Sequence, residues 1–249
     1  MKIKYLELVC LKGREEKYIT SFCMMNKSEI EYKKELFSDK EKEHYNSIGN
    51  KKRREDYFCG RFCAKKAVFE ILYKSNTDTP KEFKEISILN GVFNQPVIVT
   101  SKTGNIKVSI SHSKNMVIAI AFSEMILAGV DVEMINEKRI STIVNQFTDK
   151  EKKILEQSYL KICGKKKLCM VFWTVKEAIS KAVHMGLTVP LFFFEINKIE
   201  IKRKYWISTF TYLPGFKAIS CEINGNMVSV VFPEEFIEHI EMILKKRIY

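Results

Sequence analysis

Apolar and polar residues alternate along Val130-Asp131-Val132-Glu133, so a strand there puts the two valines on one face and the two carboxylates together on the other. Forty residues on, the period changes. Leu168, Phe172, Val175, Ile179 and Ala182 recur at steps of four and three and predict the buried stripe of a helix over about 168–184. Trp173, Glu177 and Lys181, four apart, share another side of it. Three acids and a lysine on two rigid elements could hold a divalent cation and the phosphates that complete its coordination.

The pattern elsewhere predicts a first strand over 3–11, a polar connecting stretch to Phe37, and a helix opened by the capping box Ser38-Asp39-Lys40-Glu41 and closed near Gly49. A second helix over about Lys52 to Tyr73 carries Tyr57, Gly60, Ala64, Ala67 or Val68, and Ile71 on its apolar side, with Arg54, Arg61 and Lys65 on another face. Strands are expected at 86–89 and 96–100, then a hairpin of 108–112 and 116–122, then 126–133. Thr148-Asp149-Lys150-Glu151 is a second capping box. Strands near 194–202, 205–212, 217–223 and 227–232 lead to a closing helix at 233–247. The order is α+β rather than a regular βαβ alternation.

An internal repeat organises these elements. Phe37-Ser38-Asp39-Lys40-Glu41-Lys42 matches Phe147-Thr148-Asp149-Lys150-Glu151-Lys152 at an offset of 110, and Ala64-Lys65-Lys66-Ala67-Val68 parallels Val175-Lys176-Glu177-Ala178-Ile179 at 111. Two halves of one design are expected, 1–124 and 125–249, with a site between them.

The chain of 249 residues, 46% hydrophobic, is long enough for a substantial core. Its 42 Lys and Arg against 30 Asp and Glu give +12, which favours a polyanionic partner. Seven cysteines without a Cys-x-x-Cys pair argue for reduced core thiols, a cytoplasmic setting, and against zinc or a disulfide framework. No apolar run reaches eighteen residues and no cleavage site follows the N-terminus, so neither a membrane span nor a signal peptide is expected.

Taken singly, each motif has a bland reading: a solvated strand face for Asp131 and Glu133, an ion pair for Glu177 and Lys181, a strand histidine for His112. In sequence they resemble the Sfp-type 4′-phosphopantetheinyl transferases. The stretches are Lys52 to Lys65 with its Gly60-Arg61, Phe93-Asn94-Gln95-Pro96, Ser111-His112-Ser113, Gly129 to Glu133, Phe172 to Lys181, and Gly186 to Leu191.

The resemblance implies a pseudo-twofold α+β fold with coenzyme A between the halves. It also implies Mg2+-dependent transfer of the phosphopantetheine arm to a serine of an apo acyl or peptidyl carrier protein, releasing adenosine 3′,5′-bisphosphate. By the same resemblance Asp131, Glu133 and Glu177 are metal and catalytic carboxylates, with Glu177 either a metal ligand or the base. His112 and Lys181 are phosphate contacts, and Arg53 and Arg61 coenzyme contacts; Arg54 and Lys65, on the same basic helix, join the expected coenzyme-binding set. The family's Gly-Lys-Pro stands here as Asn94-Gln95-Pro96, so its lysine has no counterpart, and the Lys165–Lys167 run aligns with nothing. A site completed within one chain predicts a monomer, without nucleic acid or membrane as partner.

Two other functions compete. A nucleic-acid binder would use the basic charge and the aromatic and basic residues of 194–212, and a non-catalytic coenzyme-binding module would share the fold.

Overall fold

Both capping boxes form, and both do more than start a helix. In the computed structural model, which describes residues 2–10, 16–73, 80–101, 105–157, 164–202, 204–237 and 240, Glu41 reaches back to the Ser38 amide at 2.9 Å. It also accepts from the amide of Ile88 at 2.9 Å and pairs at 2.6 Å with Lys65, both side chains fully buried. Glu151 repeats this arrangement, accepting from the Thr148 amide at 2.9 Å and the Ile196 amide at 2.9 Å and pairing at 2.8 Å with fully buried Lys176. A buried carboxylate survives because an ammonium and two amides satisfy its oxygens. The repeat read from sequence is thus a repeated polar strut under each main helix.

The chain divides into two compact units, Met1–Ile126 and Leu127–Tyr249. In the first, β1 (Lys2–Cys10) and β2 (Glu16–Asn26) precede α1 (Asp39–Ser47), α2 (Lys51–Tyr73) and α3 (Pro80–Glu85). The hairpins β3 (Ser87–Asn90) with β4 (Pro96–Val99) and β5 (Ile106–His112) with β6 (Met116–Ser123) follow. The main sheet is antiparallel in the order β1-β2-β6-β5. Helix α2 lies over β2, β6 and β5, burying Phe58, Cys63, Ala64, Ala67 and Val68 against Cys23, Val117 and Ala119. A Cβ at Gly60 would meet the Ile110 side chain in ordinary contact at 3.4 Å.

The second unit runs β7 (Gly129–Met134), α4 (Ile140–Val144), α5 (Asp149–Glu156), α6 (Lys165–Ala182), β8 (Ile196–Ile201), β9 (Trp206–Phe210), β10 (Phe216–Ile223) and β11 (Asn226–Pro233). Its sheet is antiparallel in the order β7-β11-β10-β9-β8. Helix α6 packs on β7 and β11, and all five residues of its expected stripe are fully buried. The units share the succession strand, capped helix, long helix, hairpin, hairpin, with the second strand of the last hairpin pairing back to the first strand. Strand β1 is an addition to the first.

Several boundaries differ from the pattern. Strand β2 lies in what reads as a polar connector: residues 18–25 are uncharged on both faces and show no alternation. Helix α6 starts at Lys165 because the lysine run forms its first turn. Of the expected closing helix, a short 3-10 turn at Glu234–Phe236 is described; most of it lies outside the described residues.

Candidate active site

In the second unit, strand β7 and helix α6 bring the acids and the lysine together. Backbone contact makes this possible: a Cβ on Gly129 would fall 2.1 Å from the Ala178 carbonyl and 2.7 Å from the Ala182 nitrogen, so only glycine lets the strand lie this close to the helix. Two residues along, Asp131 is 4% exposed and its Oδ1 accepts from Lys181 Nζ at 2.7 Å. The same ammonium donates to the Val130 carbonyl at 3.3 Å. Glu133, on the same strand face, pairs with Arg139 at 2.8 Å.

Glu177, one turn before Lys181, is half-buried. Burial, then the charge of Asp131, push its carboxyl up to about 7; Lys181 pulls against the rise, Glu133 adds to it and Arg139 opposes it. The carboxylates therefore feel one another, although among the described residues no three His, Cys, Asp or Glu side chains are arranged to hold a metal ion. Each strand acid is held by a cation instead. Opposite Asp131 in the β7–β11 ladder stands Ser229, whose hydroxyl lies 2.6 Å from Thr174 and 2.7 Å from Ser220. Sequence reasoning missed that buried hydroxyl chain and Arg139, because cross-strand register is not visible in one strand's pattern.

Trp173 is half-buried and lines a cavity of about 460 Å3 with Arg139, Thr142, Ile143, Gln146 and Leu191. Its indole N–H is buried without a partner.

In the first unit, a cavity of about 570 Å3 is lined by Arg53, Asp56, Tyr57, Arg61, Asn94 and His112, among others. Arg61, 8% exposed, donates to the Asn90 side chain and lies over the Tyr57 ring, 4.8 Å from its centre. Its Nε is buried without a partner. Asn94 has the left-handed φ of 60° that a turn glycine would otherwise supply. Gln95, in the place of the family's lysine, folds back to accept from the Phe93 amide at 2.9 Å. The cavity thus collects Arg53, Arg61 and His112 as the motifs suggested.

Two members of the expected basic set are not there. Lys65 has no exposed surface; it is held by Glu41 and donates to the carbonyls of Leu36 and Phe83 at 2.8 and 3.1 Å. Lys65 as a coenzyme contact is therefore corrected: it stands three residues before fully buried Val68 and turns into the core, where burial lowers its pKa and Glu41 opposes the fall. Arg54 does not line the cavity; its charge acts on Tyr32.

Three of the aromatic residues that favoured nucleic-acid binding are in the core, while Tyr212 is exposed. Phe194, Tyr205 and Trp206 are 1%, 7% and 8% exposed, so their faces cannot stack on bases, and Lys198 and Lys202 both pair with Glu200. Among the described residues no helix is long and apolar enough to cross a membrane, and Cys23, Cys59, Cys63, Cys169 and Cys221 are outside any disulfide.

The match to a known family falls on the unit that carries the acids. The family model described as the 4′-phosphopantetheinyl transferase superfamily matches residues 128–225. A holo-[acyl-carrier-protein] synthase of Acholeplasma laidlawii is 31% identical over 91 residues, 36% of this chain and 75% of that protein. The enzyme of the same name from Mycoplasma capricolum is 32% identical over 78 residues, 31% of this chain and 66% of that protein. A crystal structure of a holo-(acyl-carrier-protein) synthase from Bacillus anthracis in complex with coenzyme A (3′,5′-ADP) aligns with a TM-score of 0.37 at 22% identity, over 47% of this chain and 96% of that one. With the Asp131 strand and the Glu177 helix both inside the matched stretch, the chain belongs to the 4′-phosphopantetheinyl transferase superfamily.

Proposed function

We propose that this protein is a Sfp-type transferase that moves the 4′-phosphopantetheine arm of coenzyme A to a serine hydroxyl of an apo acyl or peptidyl carrier protein. The observation that carries the proposal is the junction of β7 and α6, where Asp131, Glu177 and Lys181 converge within the stretch matched by the family. The Sfp type is favoured by the repeat: the stretch matched in each synthase covers about a third of this chain, and the chain carries the same strut-and-helix design twice. One chain then suffices, and a cytoplasmic monomer is expected.

In the proposed reaction the serine oxygen bonds to the phosphorus that bears the arm, the bond from that phosphorus to the bridging oxygen breaks, and adenosine 3′,5′-bisphosphate leaves. As the base, Glu177 takes the serine proton, directly or through a water; without a cation beside it, burial and the charge of Asp131 raise its carboxyl. Lys181 donates to the phosphate oxygens as charge builds on the leaving group. The carboxylates of Asp131 and Glu133 suit a hard cation, with Glu177 either completing its shell or serving as the base. Mg2+ held there would neutralise the diphosphate and the departing oxygen. With a cation on the acids, Lys181 would be available to phosphate rather than to Asp131, and Arg139 would no longer be needed to balance Glu133. In the first unit Arg53, Arg61 and His112 are assigned to the phosphates of the nucleotide end.

Intact-mass spectrometry of an apo carrier protein incubated with the chain and coenzyme A tests this. A gain of one phosphopantetheine arm with Mg2+, lost on chelation, is expected. Coenzyme binding with no transfer to carriers of several classes would instead favour a binding module.

A further inference from the structure

The cavity of the first unit contains a charge that phosphates would meet unfavourably. Asp56 lines it beside Arg53, Arg61 and His112, and a bare carboxylate there opposes an anionic ligand. Lys27 compensates it. Its Nζ lies 2.5 Å from Asp56 Oδ1, with both side chains mostly buried, and donates at 2.5 Å to the Ser113 carbonyl. Its backbone N–H donates to the Asn115 carbonyl at 2.9 Å.

Lys27 therefore joins three pieces of the unit: the turn after β2, the cavity face of α2, and the β5–β6 turn beside His112. His112 Nδ1 stands 4.0 Å from the same Asp56 oxygen that Lys27 holds. We propose that Lys27 and Asp56 are positioning residues for coenzyme binding, a clamp that sets His112 against Arg53 and Arg61 while cancelling the carboxylate's repulsion of the phosphates. The proposal rests on the assignment of this cavity to the coenzyme. Lys27 lies in the stretch that reads as a connector and Asp56 among helix charges, so neither stands out in the sequence.

The test measures KM for coenzyme A and kcat of carrier modification in the full chain for Lys27→Met, Asp56→Asn, Asp56→Glu and the double variant Lys27→Met/Asp56→Asn. Lys27→Met leaves the carboxylate facing the phosphates and should raise KM about tenfold, with kcat changed far less. The double variant, free of that repulsion, should fall below Lys27→Met, and Asp56→Glu should keep most of the wild-type affinity. A merely structural pair would lower the thermal midpoint and the active fraction without this ordering of KM values. An unchanged KM in Lys27→Met, or a double variant worse than it, overturns the proposal. Should Lys27→Met not fold, the double variant against Asp56→Glu decides, equal KM values being the overturning result. Wild-type protein that does not bind coenzyme A would overturn the functional assignment itself, whereas saturable binding untouched by these substitutions overturns the clamp alone.

Discussion

Glu177 carries the clearest prediction for a single residue. Its carboxyl is raised from 4.5 to about 7, first by burial and then by Asp131. A group whose folded pKa exceeds its unfolded value holds its proton more tightly when folded. Its stabilising contribution is complete below about 4.5 and is lost as pH rises through about 7. Denaturant unfolding without metal should show the wild type losing up to about 3 kcal/mol across that window, and Glu177→Gln should flatten the loss; a slope equal in both would show that Glu177 is not strained. Lys65 gives a contrasting case. Lys65→Met leaves Glu41 buried without its ammonium and should cost about 3 kcal/mol of stability, while the folded fraction keeps its coenzyme affinity. A changed KM with unchanged stability would return Lys65 to the coenzyme site. Residue spacing identified Asp131, Glu177 and Lys181 because their partners sit at fixed steps on one strand and one helix. It misread Lys65 because a charge on a helix face looks the same whether it meets solvent or, as here, a buried glutamate 24 residues earlier in the chain.

At the scale of elements, the site depends on how closely β7 approaches α6. Gly129→Ala must push the Ala178 carbonyl and Ala182 nitrogen away, and should destabilise the protein by about 3 kcal/mol and lengthen the Lys181 to Asp131 contact, lowering transfer in the folded fraction. Wild-type stability and activity in that variant would mean that the contact relaxes at no cost. The strut beneath α6 makes a second prediction: Lys176→Met should destabilise by about 3–5 kcal/mol, and Lys176→Met/Glu151→Gln should recover much of that, read as thermal midpoints. The long amphipathic helices and both capping boxes were legible because their signals are local and periodic. Strand β2 was not, because it pairs with β1 on one side and β6 on the other and needs no polar face to mark it.

For the whole molecule, the formal charge of +12 should steer an acidic carrier, so the second-order rate of carrier modification should fall as salt rises; a rate indifferent to salt would remove that role from the charge. The repeat was legible as two short matches because the paired strut demands the same Phe, Ser or Thr, Glu and Lys in each unit. What distinguishes the units was legible only as motif: β7 carries Asp131 and Glu133, whereas β2 carries no acid between Tyr18 and Met25, so one design supplies the carboxylates and the other the basic cavity. The central claim is that the junction of β7 and α6 performs the transfer. It is tested most directly by intact-mass measurement of one apo carrier protein after incubation with coenzyme A, Mg2+ and, in parallel, wild type, Asp131→Ala and Glu177→Gln. The expected result is full gain of the phosphopantetheine mass with wild type and at least about a hundredfold slower gain with either folded variant; wild-type rates in both variants would contradict it.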